Sequence, residues 1–194
     1  MEGIDGCGKS TQAAMLADAL RAAGRDVLLT REPGGTALGE AVRNLVLNGD
    51  HVVPVAEALL FAAARAQHVA QVIRPALDAG TWVVSDRFVD SSLAYQGGAR
   101  GLGIDEVWRI NEAAVRGCLP DLAIVLQVPA RDAAARETGP DDRIESEGIA
   151  LQERVADAYE EVAARFPERV VQVPGTGSAE EVHALVIARV ERLA

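Results

Sequence analysis

The N-terminal residues Met-Glu-Gly-Ile-Asp-Gly-Cys-Gly-Lys-Ser-Thr restrict the fold more than any other stretch of the sequence. Residues 3–10 match the phosphate-loop pattern G-x-x-x-x-G-K-[ST] without a mismatch. Glycines allow such a loop to adopt positive φ angles, so that its backbone N–H groups can surround a nucleotide phosphate. The loop normally joins a buried strand to the N-terminus of a helix, whose dipole favours the anion. The pattern therefore predicts a nucleotide-binding α/β fold.

The side chains of the loop have predicted roles of their own. Lys9 is expected to reach the β- and γ-phosphates, and Ser10 to offer its hydroxyl to Mg²⁺. Lys9 is also the only lysine in the chain, as expected if a single position needs an ammonium group. The residues predicted to bind the nucleotide are Gly3, Ile4, Asp5, Gly6, Cys7, Gly8, Lys9, Ser10 and Thr11.

The phosphate loop lies unusually close to the start of the sequence. Only Met1 and Glu2 precede Gly3, whereas such loops usually follow a buried strand of about five or six residues. We therefore expect the first central strand to be truncated in this sequence. Adding an apolar segment upstream of Met1 is expected to raise the melting temperature and the soluble yield.

Strands and helices alternate along the rest of the chain. Short apolar runs predict buried strands over 27–30, 81–86, 122–128 and 170–173. Helical spacing predicts helices over 10–23, 37–47, 55–79, 105–116, 131–136, 148–165 and 179–193. This order predicts a doubly wound parallel sheet flanked by helices, in a single domain covering residues 1–194. The helix over 55–79 is apolar nearly all round, which indicates either a central helix or a face that meets another subunit.

Composition narrows the classes of protein that fit. A chain of 194 residues with 49% hydrophobic residues can bury one sizeable core. Its net charge of −10 argues against general nucleic-acid binding, which needs a basic face. The sequence has no apolar run of 18 residues and no signal-peptide pattern, so we predict no membrane association and a cytoplasmic location. Its two cysteines are too few for a disulfide framework or a zinc site.

Four sequence blocks stand in an order that resembles the bacterial type of the thymidylate kinase family. They are the phosphate loop, Thr30-Arg31-Glu32-Pro33-Gly34-Gly35-Thr36, Asp86-Arg87-Phe88 with Ser91 to Gln96, and Asp142-Arg143-Ile144-Glu145. The resemblance covers essentially the whole chain apart from the first strand. It implies a P-loop NTPase fold, ATP-dependent phosphorylation of dTMP to dTDP with Mg²⁺ on the route to dTTP, and a homodimer.

The residues themselves are compatible with such a reaction. The acceptor would be a phosphate monoester, which is mostly a dianion at neutral pH and needs no general base. Accordingly, the sequence has neither a Ser-His-Asp arrangement nor an H-E-x-x-H motif, and His51, His68 and His183 are scattered. We expect these histidines to have surface roles.

The resemblance implies roles for the residues at the ends of the first two predicted strands. Arg87 would bridge the donor and acceptor phosphates, and Asp86 would hold Mg²⁺ directly or through water. Arg31 would orient the acceptor phosphate, while Glu32 and Pro33 would shape the acceptor site. A structural Asp–Arg pair is the alternative for Asp86 and Arg87.

A lid is implied over residues 136–148, flanked by Arg136 and Arg143. Residues 5–8 contain no basic side chain, so charge in the transition state would be met from the lid. Arg143→Ala is then expected to lower turnover by on the order of 10³. The alternative is that these arginines are solvated surface charges.

Base recognition is implied for two residues on the long helix. Phe61 and Arg65 lie four residues apart and share one helix face. Phe61 would stack on thymine and Arg65 would donate to its O4. The alternative is that Phe61 belongs to the core and that Arg65 pairs with Glu57 or with another acid.

The segment after Asp86-Arg87 would bind the rest of the acceptor. Its candidate residues are Ser91, Ser92, Tyr95 and Gln96. Tyr95 would lie under the sugar and crowd a 2′-hydroxyl, and Asp5 would accept from the 3′-hydroxyl.

Three positions depart from the family pattern. Gln127 stands where an Asp is usual, and Leu151 where an aromatic residue is common. Cys7 replaces Ala or Ser, and its place between a helix N-terminus and Lys9 favours a thiolate that ATP should protect from alkylation.

Other functions stay open at this point. A different nucleoside or nucleotide kinase would share the loop and the Asp-Arg pair. A GTP-dependent switch lacks support, because Lys9 as the only lysine leaves no Asn-Lys-x-Asp motif. A nucleotide-binding protein without catalytic activity is the third possibility.

Overall fold

The computed structural model describes residues 1–136 and 142–193. Within them, four short strands form two parallel pairs. The strands are β1 (Val27–Arg31), β2 (Trp82–Asp86), β3 (Ala123–Gln127) and β4 (Val170–Pro174). β1 pairs with β2, and β3 pairs with β4. All four lie where the sequence predicted them, and the parallel arrangement is confirmed.

Residues 1–2 connect the two pairs of strands. The Met1 ammonium donates to the carbonyl of Ser85 at 2.7 Å, and the Glu2 N–H donates to the carbonyl of Ile124 at 2.7 Å. The spatial order is therefore β1, β2, residues 1–2, β3, β4, with the start of the phosphate loop at the centre. A longer strand at this place stays a prediction.

Helices flank the strands. They are α1 (Lys9–Ala22), α2 (Ala37–Asn48), α3 (Pro54–His68), α4 (Arg74–Asp78), α5 (Val89–Ser92), α6 (Ile104–Val115), α7 (Ala130–Ala134), α8 (Ile149–Arg165) and α9 (Ala179–Val190). π-Helical turns over Val69–Ile73 join α3 to α4, so the helix predicted over 55–79 changes its pitch on the way. α5 and the π-helical segment Leu93–Ala99 were not predicted, while the other helices fall within a few residues of their predicted ranges. Among the residues described, no helix is long and apolar enough to span a membrane.

Local sequence determines where several helices begin. The Thr36 side chain accepts from the N–H of Gly39 and caps α2. Ser178 and Glu181 form a capping box at the start of α9. Capping at Thr36 matters for the site, because Arg31 and Glu32, five and four residues earlier in the chain, line one cleft together with the phosphate loop.

The core places the strand ends beside the loop. Val125 and Leu126 of β3 are each 2% exposed, and the helices around the sheet cover them. In the parallel register of β1 and β2, Arg31 lies opposite Asp86. Ligands bind at this edge of open α/β sheets, so the fold brings both residues to the predicted site.

Candidate active site

The phosphate loop has the backbone that its glycines allow. Gly8 precedes α1 with φ 97°, and Gly3 has φ 133°. A Cβ on Gly3 would lie 2.8 Å from the carbonyl oxygen of Leu126, so the close approach of loop and β3 requires glycine. Gly3 and Ile4 line neither of the two clefts described below and support the loop from beneath.

A cleft of about 1480 Å³ runs along the loop. The loop residues from Asp5 to Thr11 line it, together with Arg31, Asp86, Arg87 and Arg136. We call it the phosphate cleft. Lys9 is nearly buried, and its Nζ donates to the carbonyl of Ile4 at 2.6 Å.

Ser10 and Asp86 present oxygen atoms that suit a magnesium ion. The Ser10 hydroxyl donates to Asp86 Oδ2 at 2.5 Å. The other carboxylate oxygen, Oδ1, is buried without a partner among the described residues. Within 1–136 and 142–193, no group of three or more acidic, histidine or cysteine side chains is arranged so that it could hold a metal ion. The two residues therefore fit Mg²⁺ held by few protein oxygens, with phosphates and water as the other ligands.

Cys7 is more protected than the sequence suggested. Its thiol is 2% exposed, with Sγ 3.8 Å from the Nζ of Lys9. The expectation that ATP shields an accessible thiol is therefore wrong, because the fold already covers Cys7.

A second cleft of about 750 Å³ opens on the other side of Arg87. We call it the acceptor cleft. Predicted acceptor residues line it: Asp5, Glu32, Pro33, Phe61, Arg65, Arg87, Ser91, Ser92, Tyr95 and Gln96. Among the residues described, five line both clefts, namely Asp5, Glu32, Arg43, Arg87 and Glu145. Two cationic side chains, Arg43 and Arg87, thus lie where the clefts meet.

Arg87 is held in place by many acceptors. Its backbone has φ 68° directly after β2, in the left-handed region that few side chains adopt. The guanidinium donates to the carbonyl of Gly3 at 3.0 Å, to Ser91 Oγ at 3.0 Å and to Tyr95 Oη at 3.2 Å. It also pairs with Asp5 Oδ1. Such a fixed cation can stabilise phosphate charge without first having to be ordered.

Asp5 is the acidic centre of this network. Its second oxygen, Oδ2, accepts from Tyr95 at 2.8 Å and from Gln152 at 3.0 Å. Burial raises the pKa of Asp5, but Arg87, Lys9 and these two hydrogen bonds outweigh burial and hold the pKa well below its usual value. Asp5 is therefore a carboxylate at neutral pH and can accept a hydrogen bond from a substrate hydroxyl.

For Arg65, the structure contains the ion pair with an acid that the sequence left open as the alternative, while donation to thymine stays a prediction. Arg65 pairs with an acid, which is Glu32 at 2.8 Å rather than Glu57. It also donates to Ser92 Oγ at 3.2 Å, to the carbonyl of Phe88 at 3.1 Å and to Asn111 Oδ1. Four of its five N–H groups are thereby engaged by the described residues, at the wall of the acceptor cleft.

His68 belongs to the same network, so the expected surface role is wrong for it. The side chain is fully buried. Its Nδ1 lies 2.9 Å from Glu32 Oε1 and its Nε2 lies 2.8 Å from Thr30 Oγ1. The spacing of three residues from Arg65 on α3 was the signal that could have revealed it.

The three other candidate arginines differ in their placement. Arg31 is exposed and pairs with Glu40 at 3.1 Å at the margin of the phosphate cleft. Arg136 lines that cleft and donates to the carbonyl of Gly175 at 3.1 Å. Arg143 lines neither cleft; it pairs with Glu57 and donates to the carbonyl of Val46 at 2.7 Å. The lid predicted over 136–148 falls partly on residues 137–141, outside the described ranges.

Several residues at or beside the site were not predicted from the sequence. Arg43 on α2 donates to the carbonyl of Pro33 at 3.3 Å. Gln152 and Tyr159 lie seven residues apart on α8, and polar groups at this spacing within an apolar stripe were an available signal. The Tyr159 hydroxyl donates to Glu2 at 2.8 Å, beneath Arg87. The Glu2 carboxyl that accepts this hydrogen bond has a raised pKa, because it is buried and, to a lesser extent, because Asp90 is nearby.

The structure shows where two of the residues that depart from the family pattern lie. Gln127 is exposed at the end of β3, where its carbonyl accepts from the N–H of Gly175. Leu151 is 1% exposed and belongs to the core.

Comparison with known proteins agrees with this geometry. The family model described as "Thymidylate kinase" matches residues 1–186. A thymidylate kinase of Rhizorhabdus wittichii is 50% identical over 193 residues, covering 96% of this chain and 93% of the relative. One of Caldanaerobacter subterraneus subsp. tengcongensis is 43% identical over 192 residues, covering 98% and 92%. The crystal structure of thymidylate kinase from Ehrlichia chaffeensis superimposes with a TM-score of 0.80 at 31% identity, covering 98% of this chain and 95% of that one.

Proposed function

The chain belongs to the thymidylate kinase family, a family of phosphotransferases, and we propose how its residues carry out the ATP-dependent phosphorylation of dTMP to dTDP. The observation that supports the proposal is the meeting of two clefts at Arg43 and Arg87. One cleft carries the phosphate loop, and the other carries groups that suit a pyrimidine nucleotide. A phosphoryl group can therefore pass between two ligands bound in line.

On the donor side, the loop backbone and Lys9 bind the β- and γ-phosphates of ATP. Ser10 and the unpartnered oxygen of Asp86 are the groups that would hold Mg²⁺. When bound, this ion would neutralise negative charge on the transferring phosphates. Arg136 also lines the phosphate cleft and would contact the nucleotide there.

On the acceptor side, Arg87 and Arg43 orient the phosphate of dTMP toward the donor. The phosphate is itself the nucleophile, and its second ionisation near pH 6 leaves it mostly a dianion. No side chain has to remove a proton. Asp5 accepts from the 3′-hydroxyl, and the ring of Tyr95, held by its hydrogen bond to Asp5, leaves little room for a 2′-hydroxyl.

Phe61 and Arg65 select the base. The ring of Phe61 stacks on thymine, while the one N–H of Arg65 not engaged by the described residues donates to O4. Cytosine carries an amino donor at that position and would leave this N–H without an acceptor.

The proposed function is tested by following ADP release with ATP–Mg²⁺ and dTMP, dUMP, dCMP, AMP, GMP or thymidine. We expect dTMP to be strongly preferred and thymidine, which lacks the phosphate, to be inactive. Asp86→Asn is expected to weaken the binding of Mg²⁺, so that activity needs a higher Mg²⁺ concentration, and to lower kcat. Calorimetry should show that dTMP still binds. Equal efficiency with dTMP and UMP would contradict the sugar and base assignments.

A homodimer is proposed from the composition of α3. This helix buries Glu57, Arg65 and His68 and exposes Val55 and Leu59, at 49% and 54%. An exposed apolar face opposite a polar buried face suits contact with a second copy of the chain. The cytoplasmic location and the lack of nucleic-acid binding stay predictions from the sequence, as does the catalytic role of Arg143.

A further inference from the structure

A buried carboxylate on α3 has no part in the mechanism above. Glu57 is fully buried, one helical turn before Phe61. Its Oε1 accepts from Gln96 Nε2 at 2.8 Å and from Arg100 Nε at 2.9 Å. Its Oε2 accepts from a second nitrogen of Arg100 at 3.3 Å and from Arg143. Both guanidinium groups compensate the buried negative charge.

The contact with Glu57 determines how the side-chain amide of Gln96 is turned. An ionised carboxylate can only accept hydrogen bonds, so Gln96 must direct its NH₂ group toward Glu57. The amide oxygen, Oε1, then lies on the other side of the group. Gln96 is 1% exposed and lines the acceptor cleft, and no hydrogen bond among the described residues uses this oxygen.

A fixed acceptor in this cleft distinguishes pyrimidines. Thymine presents a donor at N3 and an acceptor at O4, whereas cytosine presents an acceptor at N3 and an amino donor at C4. Arg65 offers a donor, and Gln96, turned as described, offers an acceptor. The pair complements thymine and opposes cytosine at both positions.

We propose that Glu57 is a positioning residue for base selection, because it holds Gln96 as the acceptor for the N3–H of thymine. This inference rests on the base site assigned under the proposed function. Glu57 touches no substrate and acts through Gln96.

Glu57→Gln tests the proposal with a nearly isosteric change. The Oε2 position faces two guanidinium groups, those of Arg100 and Arg143, whereas Oε1 faces only that of Arg100. The new NH₂ group therefore replaces Oε1 and faces Gln96. Gln96 then turns its oxygen toward residue 57 and its NH₂ group toward the base. We expect the ratio of kcat/KM for dTMP to kcat/KM for dCMP to fall at least about tenfold, in line with the loss of one charge-assisted hydrogen bond. The efficiency with dCMP should rise.

Glu147→Gln is the matched control. Glu147 accepts from Arg100 at 2.7 Å and lies 3.9 Å from Arg143, so the substitution removes a charge from the same two arginines. No hydrogen bond among the described residues joins Glu147 to Gln96, so the dTMP to dCMP ratio should stay as in the wild type. If E57Q lowers both efficiencies equally, or if E147Q shifts the ratio as much as E57Q does, the proposal is overturned.

Two other outcomes are distinguished from a failure of the Glu57 proposal: a variant that does not fold, and a wild-type protein that lacks the proposed function. If E57Q does not fold, Glu57→Asp keeps the negative charge between the two arginines but withdraws the carboxylate from Gln96 by one methylene, and a folded E57D with the wild-type ratio overturns the proposal. A wild-type protein without preference for dTMP would instead contradict the proposed function. That result is read from the wild-type assay alone and so differs from a failure of the Glu57 proposal.

Discussion

At the scale of single residues, the junction of the clefts depends on opposite charges that are held close together. Arg87 and Asp5 are both largely buried, at 15% and 20% side-chain exposure. Removing water from the site strengthens the attraction between them and makes the loss of either partner costly. This network maintains the strained backbone of Arg87 and holds its guanidinium where the two clefts meet.

Asp5→Asn tests the strength of this ion pair through its pH dependence. The pKa of Asp5 is lower in the folded protein than its ordinary value of 3.8. The stabilisation is therefore fully present above about pH 4 to 5 and is lost as the pH falls. We expect D5N to lower the free energy of unfolding by about 1–3 kcal/mol at pH 7. The difference from wild type should be smaller by about 1 kcal/mol at pH 3.

Urea unfolding of both proteins between pH 7 and pH 3 measures this difference. The raised pKa of Glu2 acts in both proteins and cancels in the comparison. A gap that is constant or that widens on acidification would contradict the ion-pair account.

The sequence predicted residues whose chemistry is determined by a local motif. Ser10, Asp86 and Arg87 are examples, because each belongs to a short sequence block and all three line the phosphate cleft. His68 and Glu57 were not predicted, since their partners Glu32 and Gln96 lie 36 and 39 residues away. Only the packing of α3 against neighbouring elements shows that these polar groups face inward.

At the scale of elements, the π-helical segment Leu93–Ala99 carries Tyr95 and Gln96 to the acceptor cleft. The strands were predictable because short apolar runs leave few alternatives. A π-helical turn differs from an α-helical one by a single inserted residue, and no local signal in the sequence indicated it. Its position is instead determined by close packing against α8.

Gly98→Ala tests that packing. Alanine normally stabilises a helix relative to glycine by about 1 kcal/mol. Here, however, a Cβ on residue 98 would overlap the Cβ of Ala158 on α8. The cost of this overlap should exceed the gain in helix stability. We therefore expect the variant to be less stable by about 1–3 kcal/mol and to have a higher KM for dTMP.

The double variant G98A/A158G provides the control. Removing the opposing methyl group should restore most of the lost stability, measured by thermal or urea unfolding. A G98A protein as stable as the wild type would show that the segment does not need the close approach.

At the scale of the whole molecule, α3 links the active site to a predicted subunit interface. One face contributes Glu57, Phe61 and Arg65 to the acceptor cleft or its support. The opposite face exposes Val55 and Leu59, and both lie outside the core of the described chain. Association at this face would therefore support α3, the helix proposed to select the base, on the side opposite the acceptor cleft.

Leu59→Glu tests this arrangement. Leu59 is 54% exposed, so the substitution should leave the folded monomer nearly as stable as before. In a symmetric dimer, however, each copy would bury an unpaired carboxylate, which costs more than about 2 kcal/mol per copy. We expect the wild type to sediment at twice the 20.4 kDa mass of the chain, and L59E at that mass alone. The KM for dTMP should rise in the monomer more than kcat falls, because α3 loses its support.

Leu185→Glu on α9 is the control for a charge on an exposed leucine. Leu185 is 45% exposed and lies on another helix, so this variant should still form a dimer with the wild-type KM. If L59E remains a dimer, the interface lies elsewhere. If it dissociates with an unchanged KM, association at α3 does not support the acceptor cleft. Sedimentation together with dTMP kinetics thus tests the proposed role of α3 in assembly separately from its proposed role in binding the base.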